Sequence, residues 1–430
     1  MVLRALLIAG YVSLALWADE PLARLLEQYR SSPPSATLCD RIGIAYTRTG
    51  DLANAEEFFR NALKIDSGLL SARKNLGTVL WFRNRRAESE REFLKIAKVA
   101  PKDPVAQLYL GLSAYDRKEY GPAAAHLESA GTLSSENPEI FPVLIETYLE
   151  SGRAADAARL LEPSARSGST DPKIWIWLGK TYDRQKRPDD ALKAFTKAID
   201  LDPKAEQGYV ALADFASAHG NRTFARDAVD RGIKNCPASA NLTAEAGILW
   251  ALEGDFEKAE RDFSTAEQLA PEWNVPLLAL GVTQLQAGKI AESASTFQKA
   301  AALDPNDYRA EYLYATALSQ AGGQNDPDKR PEIESALTKA VALNPTDAKS
   351  RVALAQVYFS ESRNERAISE LQTALSIDAN EPTALYQLSL ARRRQGNVEE
   401  ATRLMQRFRA IKEKSRQDEN ELVQILKTVR

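Results

Sequence analysis

Trp175-Ile176-Trp177-Leu178-Gly179-Lys180-Thr181-Tyr182 sets Trp175, Leu178, Gly179 and Tyr182 at i, i+3, i+4 and i+7, one face of a helix. A break follows at Arg187-Pro188-Asp189-Asp190. Proline suits a first helical position, and two acids suit the positive end of the helix dipole. Ala191, Phe195 and Ala198 then line a second helical face, and Pro203 stops it for want of an N–H. Gly179 and Ala191 are small where two antiparallel helices approach, while Tyr182 and Phe195 are expected to fill space between neighbouring hairpins. One hairpin cannot bury such a surface by itself, so it has to stack on copies.

The copies are present, with the small, small, bulky, small and proline positions in register. Residues 206–239 supply Ala213, Ala225, Val229, Gly232 and Pro237, and residues 240–273 supply Gly247, Ala259, Phe263, Ala266 and Pro271. Residues 274–307 supply Gly281, Ser293, Phe297, Ala300 and Pro305. Earlier, 36–69 offers Gly43, Ala55, Phe59 and Ala62, and 70–103 offers Gly77, Ser89, Phe93 and Pro101. The units at 104–137 and 138–171 keep the period but carry Ser135 and Ser169 at the proline place. The rest of the array falls at 172–205, 308–347, 348–381 and 382–415, with residues 322–331 of the ninth unit inserted as a loop between its helices. Residues 19–35 read as a half-repeat whose helix covers 22–29, and 416–430 as a polar capping helix.

This pattern resembles the tetratricopeptide repeat family. Trp175 to Tyr182 matches its W-x₂-L-G-x₂-Y signature without a gap, and the period of about 34 residues is the family's own. The resemblance covers residues 36–415, about eleven units. It implies an all-α fold, an α-solenoid winding as a right-handed superhelix, whose first helices line a concave protein-binding groove. Carried over by position, the groove residues are Trp81, Phe82, Leu108, Tyr109, Leu112 and Tyr115, then Ile176, Trp177 and Lys180. Aromatic residues on such a face suit an extended peptide or a partner helix. One subgroup of the family clamps C-terminal carboxylates with Lys and Asn. Here Lys74 is present, but Thr78 stands where Asn is wanted and Tyr109 follows, so that clamp is not expected.

Composition restricts the chemistry. The 56 Lys+Arg nearly balance 59 Asp+Glu, for a net charge of −3, so no global basic field favours nucleic acid. Cys39 and Cys236, and His126 and His219, are too far apart in sequence to form a metal knuckle or redox motif, and the cysteines are expected as small core residues. There is no G-x-S-x-G, H-E-x-x-H or P-loop. No cofactor and no catalytic residue is expected. The basic last unit, with Arg392, Arg393, Arg394, Arg403, Arg407 and Arg409, reads as a solvated cap. Residues 1–18 carry one charge, Arg4, before an apolar run ending at Ala18, the pattern of a secretory signal peptide or else of an uncleaved anchor. The functional expectation is an exported, periplasmic or secreted, non-catalytic adaptor in envelope assembly or secretion. A carrier of client proteins is the alternative, and an enzyme on a repeat scaffold the remote one.

Overall fold

The computed structural model describes residues 20–323 and 326–415. The expected signal segment at 1–18 and the expected cap at 416–430 lie outside them. The described residues are all-α: 24 helices and no strand. Twenty-two of these pair into eleven antiparallel hairpins. The chain divides by packing into two compact units after Leu201, with five hairpins before that point and six after it.

The quoted stretch is helix Pro172–Arg184, and its partner is Pro188–Leu201. The Asp171 side chain caps the first by accepting from the Lys173 N–H at 2.9 Å, which satisfies one of the helix's unpaired amide donors. Comparable caps come from Ser35, Asp51, Asp103, Asn221, Ser239, Asp255, Asp307 and Asp347. Each hairpin turns through a residue with positive φ at one fixed repeat position. Seven are glycines, among them Gly50 and Gly288, and four are Asn84, Lys118, Lys186 and Ser362. That left-handed conformation strains any residue with a Cβ.

Inside the hairpin the bulky residue has a second role beyond the expected one. Phe195 lies over Gly179 of its own hairpin, so that a Cβ built on Gly179 would meet the ring at 2.5 Å. The same arrangement recurs as Phe59 on Gly43, Phe93 on Gly77, Phe263 on Gly247 and Phe297 on Gly281. Each ring is 0–1% exposed, and such burial contributes roughly 1.5–3 kcal/mol per ring. Glycine is required here by space, because the ring occupies the place of its side chain. Tyr182 instead stays half-buried at the turn, with the Arg187 guanidinium 4.3 Å from its ring centroid.

Neighbouring hairpins are joined in two ways. Apolar clusters run across them, one from Leu108 to Ala194 in the first unit and another from Ala244 to Val357 in the second. At the turns, ion pairs link a second helix to the next hairpin 29 positions on: Glu56 to Arg85 at 2.7 Å, Glu260 to Lys289 at 2.9 Å and Glu334 to Arg363 at 2.6 Å. At the equivalent place Arg226 meets Glu253 at 2.7 Å with the charges exchanged. Burial raises the Glu56 carboxyl, but hydrogen bonds from Arg60 and Arg85 outweigh it and hold the group below its ordinary value.

Three further expectations change. The inserted loop is shorter than 322–331, because Arg330 and Pro331 open helix Arg330–Leu343; proline suits a first helical turn. The leading helix runs Leu22–Ser31 and covers the first hairpin through Leu25, Leu38, Ile42 and Ala45. Cys39 is fully buried, whereas Cys236 is half-buried at a helix end, its Sγ 3.2 Å from the Lys204 carbonyl oxygen.

Candidate protein-binding face

The nine residues read from sequence all lie on three first helices: Leu70–Phe82, Pro104–Asp116 and Pro172–Arg184. Their surroundings differ. Leu108 and Tyr109 are each 3% exposed and so offer a partner no surface. Tyr109 stacks on Phe93 with centroids 4.6 Å apart and meets the edge of Trp81 at 5.3 Å. Burial pushes its phenol up to about 12. This corrects the positional reading: the helix is in contact on a wider arc than the inner-face numbering allows.

Seven residues stay at least partly accessible. Trp81 and Phe82 are half-buried, and the Arg86 guanidinium lies 3.6 Å from the Trp81 ring centroid. Such a cation held on an indole leaves the ring pinned rather than loose. Tyr115 is half-buried and donates its hydroxyl to Glu146 at 2.7 Å. Burial first, and then that bond to a carboxylate, raise its phenol well above the ordinary range. Leu112 and Trp177 both pack against the cluster that contains Leu108. Lys180 is exposed, its Nζ 4.9 Å from the Trp177 ring centroid. Ile176 is half-buried beside Trp177 in sequence. Lys74, which a carboxylate clamp would need free, is instead paired with Asp103 at 2.8 Å.

The arrangement is thus a set of aromatic and aliphatic side chains on three first helices, of which Trp81, Leu112, Tyr115 and Trp177 are braced, with an exposed ammonium over the Trp177 ring. It supplies apolar contact at low entropy cost, since its rings are already held. Among the described residues no group of three or more His, Cys, Asp or Glu is placed to hold a metal ion.

A second feature escaped the sequence reading. Between the first helices Tyr308–Gln320 and Ala348–Ser360 lies a cleft of about 210 Å³. Its apolar lining is Ala315, Ala353 and Leu337 of the second helix Arg330–Leu343, and its polar groups are Thr316, Ser319, Gln320 and Gln356. Small residues on successive first helices were the available signal. Alanine at those positions also serves ordinary helix packing, so the sequence does not single them out.

Comparison with known proteins bears on this geometry. Two family models, each described as tetratricopeptide repeat, match the chain: one at residues 74–138, 144–206, 278–322 and 352–415, more than half of it, and the other at 36–68. Anaphase-promoting complex subunit 3 of Schizosaccharomyces pombe is 19% identical over 64% of this chain and 40% of its own length. Superkiller protein 3 of the same yeast is 24% identical over 55% of this chain and 17% of its own length. Cellulose synthase operon protein C of Xanthomonas axonopodis pv. citri is 22% identical, over 61% of this chain and 16% of its own. The chain spans less than half the length of these relatives. Among solved structures, yeast Tom70 is 15% identical with a TM-score of 0.45, over 92% of this chain and 94% of that one. YrrB, titled a TPR protein with an unusual peptide-binding site, is 20% identical with a TM-score of 0.36, over 46% of this chain and 98% of that one.

Proposed function

The chain belongs to the tetratricopeptide repeat family, and on that premise we propose that it is a non-catalytic scaffold that holds partner proteins on its first helices, in cell-envelope assembly or secretion. The observation that carries this reading is the accessible apolar residues Trp81, Phe82, Leu112, Tyr115, Ile176 and Trp177 on first helices, with Trp81, Leu112, Tyr115 and Trp177 braced and Lys180 beside Trp177. Braced rings of this kind favour recognition of an extended peptide or a helix by shape. Two relatives named as a complex subunit and a cellulose synthase operon product are in keeping with work inside larger assemblies. Export follows from the reading of residues 1–18 as a cleaved signal.

Affinity capture from the native cell envelope after mild crosslinking tests the proposal, comparing wild type with Trp81→Ala/Tyr115→Ala. One stoichiometric partner, lost in the variant while the melting temperature falls by no more than a few degrees, supports an adaptor. A diffuse client set unaffected by the variant replaces it with the carrier reading. Sequencing the N-terminus of the mature protein decides export: retention of residues 1–18 in a cytoplasmic protein removes that part.

A further inference from the structure

We infer that the last hairpin, Pro382–Arg394 with Val398–Ser415, is a membrane-docking element, which sets its outward face on the phosphate headgroups of an anionic lipid surface. The inference goes beyond the scaffold reading and does not use the first-helix residues on which that reading rests.

The fold leaves much of this hairpin's charge unanswered. Residues 392–413 hold seven Arg and Lys against three Glu, whereas the whole chain carries −3. The hairpin therefore has the opposite sign to the rest of the chain. Acids meet two of the seven: Arg392 lies 3.0 Å from Glu400, and Arg403 lies 3.3 Å from the exposed Glu399. An exposed pair of the second kind is worth little. Arg407 donates to the Ala379 carbonyl, and the Lys412 ammonium lies 5.7 Å from the Phe408 ring centroid, so both keep their full charge. Arg393, Arg394 and Arg409 are exposed, and their side chains make no hydrogen bond or ion pair among the described residues. The helix dipole favours cations in a last turn, which accounts for the three arginines that end Pro382–Arg394. It does not account for Arg403, Arg407 and Arg409, which precede the last turn of Val398–Ser415.

The shape of the face fits a flat anionic surface. Leu404, Phe408 and Ile411 pack into the hairpin core, so Arg403, Arg407 and Arg409 stand on the outward side of the same helix, where all three are exposed. From Arg403 to Lys412 the row is about 14 Å long, more than a single phosphate needs. Guanidinium groups bind phosphate oxygens in pairs. Two apolar side chains accompany the cations on this hairpin: Val398 is 60% exposed and Tyr386 43%. The Tyr386 ring lies 5.3 Å from that of Phe408, beside Lys412. Cations mixed with exposed apolar groups suit the headgroup region of a bilayer, where the apolar groups reach the acyl boundary. An acidic polypeptide would use the cations alone, and a convex helix face offers it no groove.

The test uses the full chain and co-sedimentation with vesicles, of phosphatidylcholine alone or of phosphatidylcholine mixed with phosphatidylglycerol. Wild type should bind the mixed vesicles, leave the neutral ones, and bind less as salt rises. Each basic residue close to such a surface is worth about fivefold in partition. Arg393→Gln/Arg394→Gln/Arg409→Gln/Lys412→Gln should therefore lose about hundredfold or more. All four side chains are exposed, so an unchanged melting temperature is expected. Lys193→Gln/Lys197→Gln/Lys204→Gln/Lys234→Gln removes the same charge from exposed places elsewhere and should bind as wild type does. An equal loss in that control would make the attraction a property of net charge and overturn the inference. So would wild type that ignores the mixed vesicles. Binding to soluble polyglutamate, lost in the arginine variant, without binding to vesicles would assign the face to an acidic polypeptide and overturn it too. None of these outcomes touches the Trp81→Ala/Tyr115→Ala capture, so the scaffold reading stands or falls separately.

Discussion

The hairpins at 240–307 and those at 104–171 use one pattern with different materials. In the former a phenyl ring covers a bare backbone, Phe263 on Gly247 and Phe297 on Gly281, and the helices run 12–14 residues. In the latter, Leu127 covers Gly111, and the same two places in the next unit hold Ile145 and Leu161, both fully buried. Two of its helices, Tyr120–Ser129 and Phe141–Glu150, are cut to 10 residues. A break at Gly131, with φ of +62°, and the four-residue helix Thr132–Ser135 stand where the proline-ended unit would close. The glycine and the ring are therefore one packing unit rather than two separate preferences. When the ring becomes leucine the contact persists, since a Cβ on Gly111 would meet the Leu127 side chain at 2.8 Å. Helix length and the terminal proline can vary once that contact is kept.

The largest expected effect separates the two regions directly. Phe297→Ala should cost about 3–5 kcal/mol, and Leu127→Ala about 2–5 kcal/mol at the lower end, because the shorter side chain leaves the smaller void. Urea unfolding midpoints with unchanged slopes would report the difference. An equal or larger loss at Leu127 would dissolve the distinction.

A middle-sized effect sharpens it. Gly179→Ala places a Cβ against the buried Phe195 ring and should cost about 1–3 kcal/mol, despite alanine's helix preference of about 1 kcal/mol over glycine. Adding Phe195→Leu should recover most of that loss, since the corresponding places in residues 348–381 hold Ala355 and Leu371, both fully buried. A double-mutant cycle measures the coupling, expected at about 0.5–3 kcal/mol. Simple additivity would mean that the two positions do not form one unit.

The smallest effect concerns what the two regions share, the left-handed turn residue. Lys186 holds φ of +60° where Gly152, Gly254 and Gly288 hold the same turn without a Cβ. Lys186→Gly should stabilise by about 0.5–1 kcal/mol, the relief of left-handed strain less the extra freedom of glycine in the unfolded chain. Thermal melting reads this as a small upward shift, and a downward shift would place the strain elsewhere.

Sequence alone determined the period, the hairpin, the helix starts and the small-and-bulky register, because these are local and repeated: each unit states them again, and one helix face is visible in a window of eight residues. It also contained the turn glycines, although four substitutions at that place hid their regularity. Only the tertiary structure decided what each face touches. In the interior of the array a first helix meets its own partner and its neighbours, so residues 242–249 and 276–284 are buried without interruption, and helical periodicity can no longer separate inside from outside. That is why Leu108 and Tyr109 proved inaccessible while Leu112 and Tyr115 on the same helix did not. It is also why Gln320 and Gln356, 36 positions apart in the chain, emerged as the lining of one cleft only when their helices were set side by side. Periodicity records the contacts of a helix with itself and its repeat; exposure is settled by the neighbours that pack against it.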